Sequence, residues 1–239
     1  MMTRFAHAVL VATLFVVTAC SYSQTDPEPA PNTKPSPSPT QDEADLVAAL
    51  RRTQRAPHHF AIDADLPKNE HLTGTGAFDV TKLLYESSTK ALERIVVGTD
   101  YYQRDKGSGW VHVDLKRLKK DSELHFAIAD ATGLLQFADA ITDAHKTGPN
   151  TYDGRFQPDT EDFKEPFLPL GAPSLWSIGL RVSPFTATVD ARGWVTAITL
   201  ELTPTDSPTL RMEATLSRHG KPIDVAKPRA QEADEAFYR

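Results

Sequence analysis

Apolar and polar residues alternate with a period of two over much of the chain between residues 58 and 115. Phe60, Ile62 and Ala64 are separated by smaller or polar neighbours, and the same alternation surrounds Phe78. Three further segments with this pattern are Leu92–Val97, Tyr101–Arg104 and Trp110–Leu115. Successive side chains of a strand point to opposite faces, so the pattern predicts strands with one apolar face. Short turn-forming segments separate them, which predicts an antiparallel meander.

The same period returns in the last third of the chain. Residues 151–157 form one predicted strand, and three more centre on Ala187, Ile198 and Met212, with a turn at 190–193. One face of the whole predicted sheet is apolar. That face must be covered by helices, by a ligand or by both.

A helix is predicted at the start of the folded region. Thr40 and Glu43 have the spacing of a capping box, and Leu46 and Leu50 then follow at helical spacing. The helix is expected to span residues 41–55 and to end before the proline at position 57.

Helical spacing returns between residues 122 and 146. Phe126, Leu134, Phe137 and Ile141 lie on one face of a helix built from this segment, and Gly133 is a candidate break in it. This apolar stripe has two interpretations. It is either plain core or part of the wall of a ligand pocket.

The first nineteen residues have the composition of a signal peptide. Arg4 precedes an apolar run from Ala8 to Val17, which is too short for a comfortable membrane span. The run ends in Val17-Thr18-Ala19-Cys20, which resembles the lipobox of bacterial lipoproteins. The resemblance implies cleavage before Cys20 and attachment of a diacylglyceryl group to its sulfur. The alternative is an ordinary secretory signal peptide, with Cys20 as an incidental free thiol.

Cys20 is the only cysteine, so the chain has no second cysteine for an intramolecular disulfide or a redox pair. Residues 21–40 contain six prolines and almost no apolar side chain, which is typical of an extended, disordered linker. A proline-rich recognition peptide is the alternative. We expect a protein anchored on the outer, extracytoplasmic face of the cell membrane through acyl chains such as palmitate, with a spacer before its folded domain.

Composition excludes one class of partner and sets the size of the domain. The 239 residues include 26 basic and 32 acidic side chains, and a net charge of -6 gives no basic surface for nucleic acid. The predicted organisation is a signal peptide at 1–19, a lipidated cysteine and linker at 20–40, one domain at 41–230, and a polar C-terminal tail at 231–239.

A search for catalytic or metal-binding patterns finds none with the required spacing. His58 and His59 are adjacent and would point to opposite faces of a strand. His112 and Asp114 share a face, which permits a metal or proton-orienting role but is more typical of a solvated strand. The sequence lacks Gly-x-Ser-x-Gly and His-Glu-x-x-His, and Gly74-Thr75-Gly76 is not followed by the rest of a phosphate-binding loop. We expect no enzyme activity, catalytic residue, metal or cofactor.

Several short phrases, in their order along residues 45 to 230, resemble the actinobacterial lipoproteins of the LppX and LprG type, whose fold is akin to that of LolA and RseB. The matching phrases are Tyr102-Gln103-Arg104, Gly109-Trp110-Val111, Gly133-Leu134-Leu135, Tyr152-Asp153-Gly154-Arg155-Phe156, Val189-Asp190-Ala191-Arg192-Gly193-Trp194-Val195 and Gly220-Lys221-Pro222-Ile223-Asp224-Val225. The resemblance implies an α+β fold. Its antiparallel sheet would be a strongly curved half-barrel with helices over the concave face.

The same resemblance implies a hydrophobic cavity between sheet and helices that handles envelope lipids or the acyl chains of lipoglycans. The pocket walls would then come from Phe60, Ile62, Phe78, Phe126, Leu134, Phe137 and Ile141. An envelope protein that loads or unloads the ligand is an implied partner. The alternative is a non-enzymatic regulatory module whose interior is filled by side chains and whose surface binds a protein.

Overall fold

The computed structural model describes residues 39–119, 128–157, 181–205 and 208–238. The chain separates into two compact units, Met1–Pro37 and Ser38–Arg239, and the described residues all belong to the second. The predicted signal peptide, Cys20 and nearly all of the predicted linker therefore lie outside the described residues. Phe126 lies outside them as well.

Twelve strands form a single sheet in the described part of the chain. The first six are β1 (His58–Leu66), β2 (Glu70–Asp79), β3 (Leu84–Thr89), β4 (Leu92–Val97), β5 (Asp100–Asp105) and β6 (Trp110–Asp114). The other six are β7 (Ile141–Lys146), β8 (Thr151–Phe156), β9 (Ser183–Val189), β10 (Val195–Leu202), β11 (Leu210–Ser217) and β12 (Ala230–Glu232). Their spatial order is β12-β6-β5-β4-β3-β2-β1-β11-β10-β9-β8-β7.

The sheet consists of two antiparallel meanders, β1 to β6 and β7 to β11, which are joined where β1 pairs with β11. Only β12 runs parallel to its neighbour, β6. The edge strands β7 and β12 are at opposite ends of the order, so the sheet is open, and a twisted sheet of this width curls. The predicted α+β class, an open and curved half-barrel sheet with helices on one face, is confirmed.

Helix α1 (Gln41–Gln54) begins where the capping pattern predicts. The Thr40 hydroxyl accepts a hydrogen bond from the backbone N–H of Glu43 and donates one to the carbonyl of Ala144 in β7. Asp42 accepts a hydrogen bond from the backbone N–H of Lys146 at 2.9 Å. The first turn of α1 therefore satisfies backbone groups along the edge strand β7, which would otherwise be open to pairing with another chain.

The second predicted helix is shorter than the sequence suggests. Helix α2 spans Leu134–Ala140, after Gly133 with a φ of 71°, and Ile141–Lys146 is the strand β7. The prediction of helix through residue 146 was wrong, because the register of β7 shifts between Ile141 and Asp143. This bulge leaves Ile141 and Ala144 buried three residues apart, which imitates helical spacing.

Residues 230–238 differ from the predicted polar tail. Strand β12 pairs with β6, and a 3-10 turn follows at Glu235–Tyr238. Ala233 and Tyr238 are buried, and the backbone N–H of Asp114 donates a hydrogen bond to the Tyr238 hydroxyl at 3.1 Å. Ala233 and Tyr238 belong to the hydrophobic core, whereas Phe237 is 47% exposed, so the segment is part of the domain and not a free polar tail.

Candidate functional site

The face of the sheet that carries Phe60 and Ile62 is called here the inner face. α1 packs against β7 and β10, and α2 packs against α1. All the predicted pocket residues in the described part of the chain are buried. Their exposed fractions are Phe60 4%, Ile62 5%, Phe78 0%, Leu134 0%, Phe137 0% and Ile141 9%.

Three aromatic rings fill the space between α2 and strands β8 and β9. The ring centroid of Phe137 lies 5.4 Å from that of Phe156 and 5.1 Å from that of Phe185, both with edge-on geometry. Such contacts are the ordinary packing of a side-chain core. Leu134 and Phe137 lie in this part of the core, and the same continuous hydrophobic core includes Phe60, Ile62, Phe78 and Ile141.

Phe60, Ile62 and Phe78 lie on the other meander, where two aligned rows of side chains cross the inner face. The buried row runs across β1 to β6 and consists of His58, Phe78, Tyr85, Val96, Tyr101 and Val113. The next row on the same face consists of Phe60, Gly76, Ser87, Arg94, Gln103 and Val111. In this second row Ser87, Arg94 and Gln103 are only half-buried, and they are called here the polar row.

The polar row borders an apolar wall. The ring of Phe60 stacks on that of Tyr85 with centroids 6.0 Å apart, and Val96 is fully buried beside them. This part of the inner face therefore changes over two residues along each strand, from buried aromatic and aliphatic side chains to hydrogen-bonding groups that solvent reaches.

Arg94 supplies the positive charge of the polar row. Burial raises the pKa of the Tyr101 hydroxyl, while the charge of Arg94 and a hydrogen bond from it act in the opposite direction. The Tyr101 hydroxyl also donates a hydrogen bond to Oε1 of Gln103 at 2.6 Å. The Nε of Arg94 is buried and has no hydrogen-bond partner.

Sequence reasoning did not single out Arg94, although the pattern contains it. Arg94 lies between Leu92 and Val96 at a spacing of two, which places its side chain on their face of β4. The alternation of apolar residues identifies β4 as a strand, and the same alternation gives the inward direction of Arg94.

The opposite, outer face holds a charged cluster around His112. The Nδ1 of His112 lies 2.8 Å from Glu232 and its Nε2 lies 2.9 Å from Asp100, which also contacts Lys227 at 2.5 Å. Partial burial lowers the pKa of His112, but the hydrogen bonds to the two carboxylates prevail and raise it overall. His112 therefore lies between a carboxylate of β5 and a carboxylate of β12 and joins the two strands. Asp114, its predicted partner, instead caps the following 3-10 turn.

A stack of aromatic and cationic groups lies where the C-terminal end of α1 meets the sheet. Arg52 lies 4.5 Å above the ring of Trp194, which stacks on His219 at 5.4 Å, and His219 stacks on His58 at 6.3 Å. The Nδ1 of His58 bonds to the Ala56 carbonyl, while its Nε2 has no partner. Burial is the largest of the effects that lower the pKa of His58, which falls to about 4, so the ring is neutral at pH 7.

Metal-binding clusters and membrane-spanning helices are both absent from the described residues. No group of three or more His, Cys, Asp or Glu side chains there is arranged to hold a metal ion. No helix among those residues is long and apolar enough to cross a membrane.

Comparison with known proteins gives matches among solved structures only, and those reported below are distant. A scan against protein-family models gives no match, and neither does a search of curated proteins. Among solved structures, MucB in complex with MucA(peri) is 13% identical with a TM-score of 0.33, over 82% of this chain and 59% of that chain. The LolA superfamily protein NE2245 from Nitrosomonas europaea is 7% identical with a TM-score of 0.30, over 75% and 94% of the two chains. The chain thus spans less than two thirds of the MucB chain.

Proposed function

We propose that this protein is a lipoprotein of the LppX and LprG type, anchored through Cys20 on the extracytoplasmic side of the membrane. Its domain binds a hydrophobic ligand, an envelope lipid or the acyl chains of a lipoglycan, on the inner face of β1 to β6. A carrier role follows if an envelope protein loads and unloads it.

The observation that carries this proposal is the half-buried polar row beside an apolar wall. Phe60, Ile62 and Val96 form an apolar wall that is at most 5% exposed, and Ser87 and Gln103 lie next to it within reach of solvent. Each methylene group of a ligand that leaves water there contributes about 0.8 kcal/mol. A long acyl chain therefore binds without a dense set of specific polar contacts.

The proposed site is narrower than the sequence predicts. Leu134 and Phe137 are fully buried, and Phe137 packs edge-on against Phe156 and Phe185. Their packing favours a role in the core, so the proposed ligand contacts come from β1 to β5. Phe126 lies outside the described residues and keeps its predicted role.

A second function is supported by the same packing. Phe78, Tyr85 and Val96 are at most 2% exposed, which is the burial expected of a filled interior. On this hypothesis the protein is a regulatory lipoprotein that binds a protein partner and carries no lipid.

Extraction of lipid from the purified protein distinguishes the two functions. The full chain carrying Cys20→Ser, which has no covalent acyl group, is purified without detergent, extracted with organic solvent and analysed by mass spectrometry. We expect co-purifying lipid, and we expect its loss in a Ser87→Trp variant, whose indole would occupy the polar row.

Ser88→Trp is the matched control, because Ser88 is the next residue along β3 and points to the outer face. Lipid in the parent and in Ser88→Trp, but not in Ser87→Trp, supports the carrier. No extractable lipid in the parent protein would leave the protein-binding function as the better account.

The anchor is tested separately. Cells grown with labelled palmitate are expected to incorporate label into the parent chain and not into Cys20→Ser. Equal labelling of both chains, or none, contradicts the lipoprotein proposal. We also propose that the protein is not an enzyme, and we expect no turnover of a panel of chromogenic esters and glycosides.

A further inference from the structure

We infer that Arg94 is an anion-binding subsite, which binds the oxyanion of an amphiphilic ligand while the apolar chain of that ligand lies against Phe60 and Ile62. The inference rests on the proposed function and deepens it, because it names the chemical class of the ligand. That class is an acidic amphiphile, in which a carboxylate or phosphate is attached to a long apolar chain.

The strand pairing determines the direction of the Arg94 side chain. Arg94 pairs with Ser87 on one side and Gln103 on the other, and Ser87 pairs with Gly76, which faces Phe60. Directly paired residues of antiparallel strands place their side chains on the same face. The guanidinium group therefore projects from the inner face, three strands along the same row from Phe60.

The positive charge of Arg94 has no carboxylate partner among the described residues. None of the ion pairs among the described residues includes Arg94. Its neighbours in the polar row, Ser87 and Gln103, are uncharged. A guanidinium has five N–H donors, and Nε of Arg94 is buried without an acceptor. A half-buried cation with an unsatisfied donor is costly in the free protein, and a bound oxyanion that accepts from this donor reduces that cost.

The neighbouring residue on β4, Glu93, is paired on the outer face. Glu93 points to the outer face of the same strand and pairs with both Arg104 and Lys106. The cations around β4 on the outer face are thus neutralised by a carboxylate of the protein. On the inner face, Arg94 has no carboxylate partner among the described residues, although it stands in a less polar environment.

The guanidinium group of Arg94 also restricts the shape of the ligand. An arginine fork binds a carboxylate or a phosphate in a bidentate manner, which fixes the position of the head group. The Tyr101 hydroxyl is already engaged, because it donates to Gln103 and accepts a hydrogen bond from Arg94. With the head group held at Arg94, the chain of the ligand would insert beside Phe60 and Ile62, which are 4% and 5% exposed in the free protein.

The test compares two ligands that differ only in the head group. Palmitic acid and hexadecanol compete with an uncharged fluorescent probe, Nile red, for the Cys20→Ser chain. We expect palmitic acid to bind at least about tenfold more tightly than hexadecanol, because hydrogen bonds to charged groups are stronger than those between neutral groups. Arg94→Gln is expected to remove this preference without weakening the binding of hexadecanol, and Arg94→Lys to keep part of it.

Arg104→Gln is the matched control, because this arginine lies on the outer face and is paired with Glu93. It is expected to keep the full preference. Hexadecyl phosphate distinguishes a phosphate head group from a carboxylate, and inorganic phosphate alone is expected to bind far more weakly than either amphiphile.

Equal binding of acid and alcohol to the parent chain would overturn the inference and leave the proposed function standing. A preference that survives Arg94→Gln would overturn it as well. If neither amphiphile displaces the probe, the proposed function and the inference fail together. The comparison in the parent chain needs no variant, so it holds even if Arg94→Gln fails to fold.

Discussion

The ring of Phe60 lies over Gly76, its direct partner on the neighbouring strand. A β-carbon built at position 76 would overlap both this ring and the carbonyl oxygen of Glu86. The missing side chain lets Phe60 extend across β2 and stack on Tyr85, which is how β1 contributes to the wall beside the polar row.

Gly76→Ala is therefore expected to destabilise the protein by about 1–3 kcal/mol, the usual range for overpacking a core. Chemical denaturation followed by circular dichroism measures the change. Gly109→Ala is the control, because a β-carbon there meets no atom within 4 Å, and a change within about 0.5 kcal/mol is expected. Similar losses in the two variants would contradict this account of Gly76.

His58 makes the protein less stable in mild acid. The unfolded chain takes up a proton on this residue below pH 6.5, whereas the lowered pKa of about 4 keeps the folded ring neutral. The free energy of unfolding is thus expected to fall as the pH drops from 6.5 towards 4, by up to about 3 kcal/mol.

Denaturation curves at several pH values test this expectation. His58→Leu should flatten the pH dependence, whereas His59→Gln, which removes only a minor contribution to the lowered pKa of His58, should change it far less. An unchanged slope in His58→Leu would mean that another group controls acid stability.

His112 acts in the opposite direction. Its pKa is raised in the folded protein, so its contribution is fully present below pH 6.5 and is lost as the pH rises through the folded value. Glu232→Gln removes one carboxylate partner and is expected to lower stability at pH 6 more than at pH 9. A loss of equal size at both pH values would contradict the ion-pair account.

Thr40 has two roles, as the cap of α1 and as a donor to the edge strand β7. Thr40→Ala is expected to cost about 0.5–2 kcal/mol, the range measured for the loss of helix caps. Thermal unfolding measures this change, and Thr40→Ser, which keeps the hydroxyl, is expected to stay close to the parent. If Thr40→Ser were as unstable as Thr40→Ala, the methyl group and not the hydroxyl would be responsible.

The parts of the fold that were predicted correctly depend on local chemistry. The capping pattern of Thr40 and Glu43 locates the start of α1, because a cap involves neighbouring residues only. The alternation around Phe60 and Ile62 locates β1, because this strand has one buried and one exposed face. Strand β4 was predicted with its observed bounds, Leu92–Val97.

Strand β3 was not among the predictions for a related reason. Its residues from Glu86 to Thr89 are polar on both faces, with Ser87 pointing inward and Ser88 outward. A strand without apolar alternation gives no period to detect. The same polarity makes Ser87 part of the candidate site, so the weak strand signal and the polar row have one cause.

Interactions between distant parts of the chain could not be predicted from the pattern. Glu232 reaches His112 only because β12 adds to β6, and no local feature of the polar segment around residue 231 indicates that pairing. The bulge in β7 is a further example, since its buried residues repeat at a helical interval. Arg94 differs from both, because its inward direction follows from the alternation itself.

The pairing of β1 with β11 has a consequence for the speed of folding. Within the two meanders every strand except β9 follows its neighbour after a short connection, so most of these loops close rapidly. His59, by contrast, meets Ser217 only after nearly the whole domain has been synthesised. Contacts between residues so far apart in sequence form slowly. We therefore expect two early hairpin arrays and a late docking step, during which the unpaired edges of β1 and β11 are the surfaces most open to aggregation.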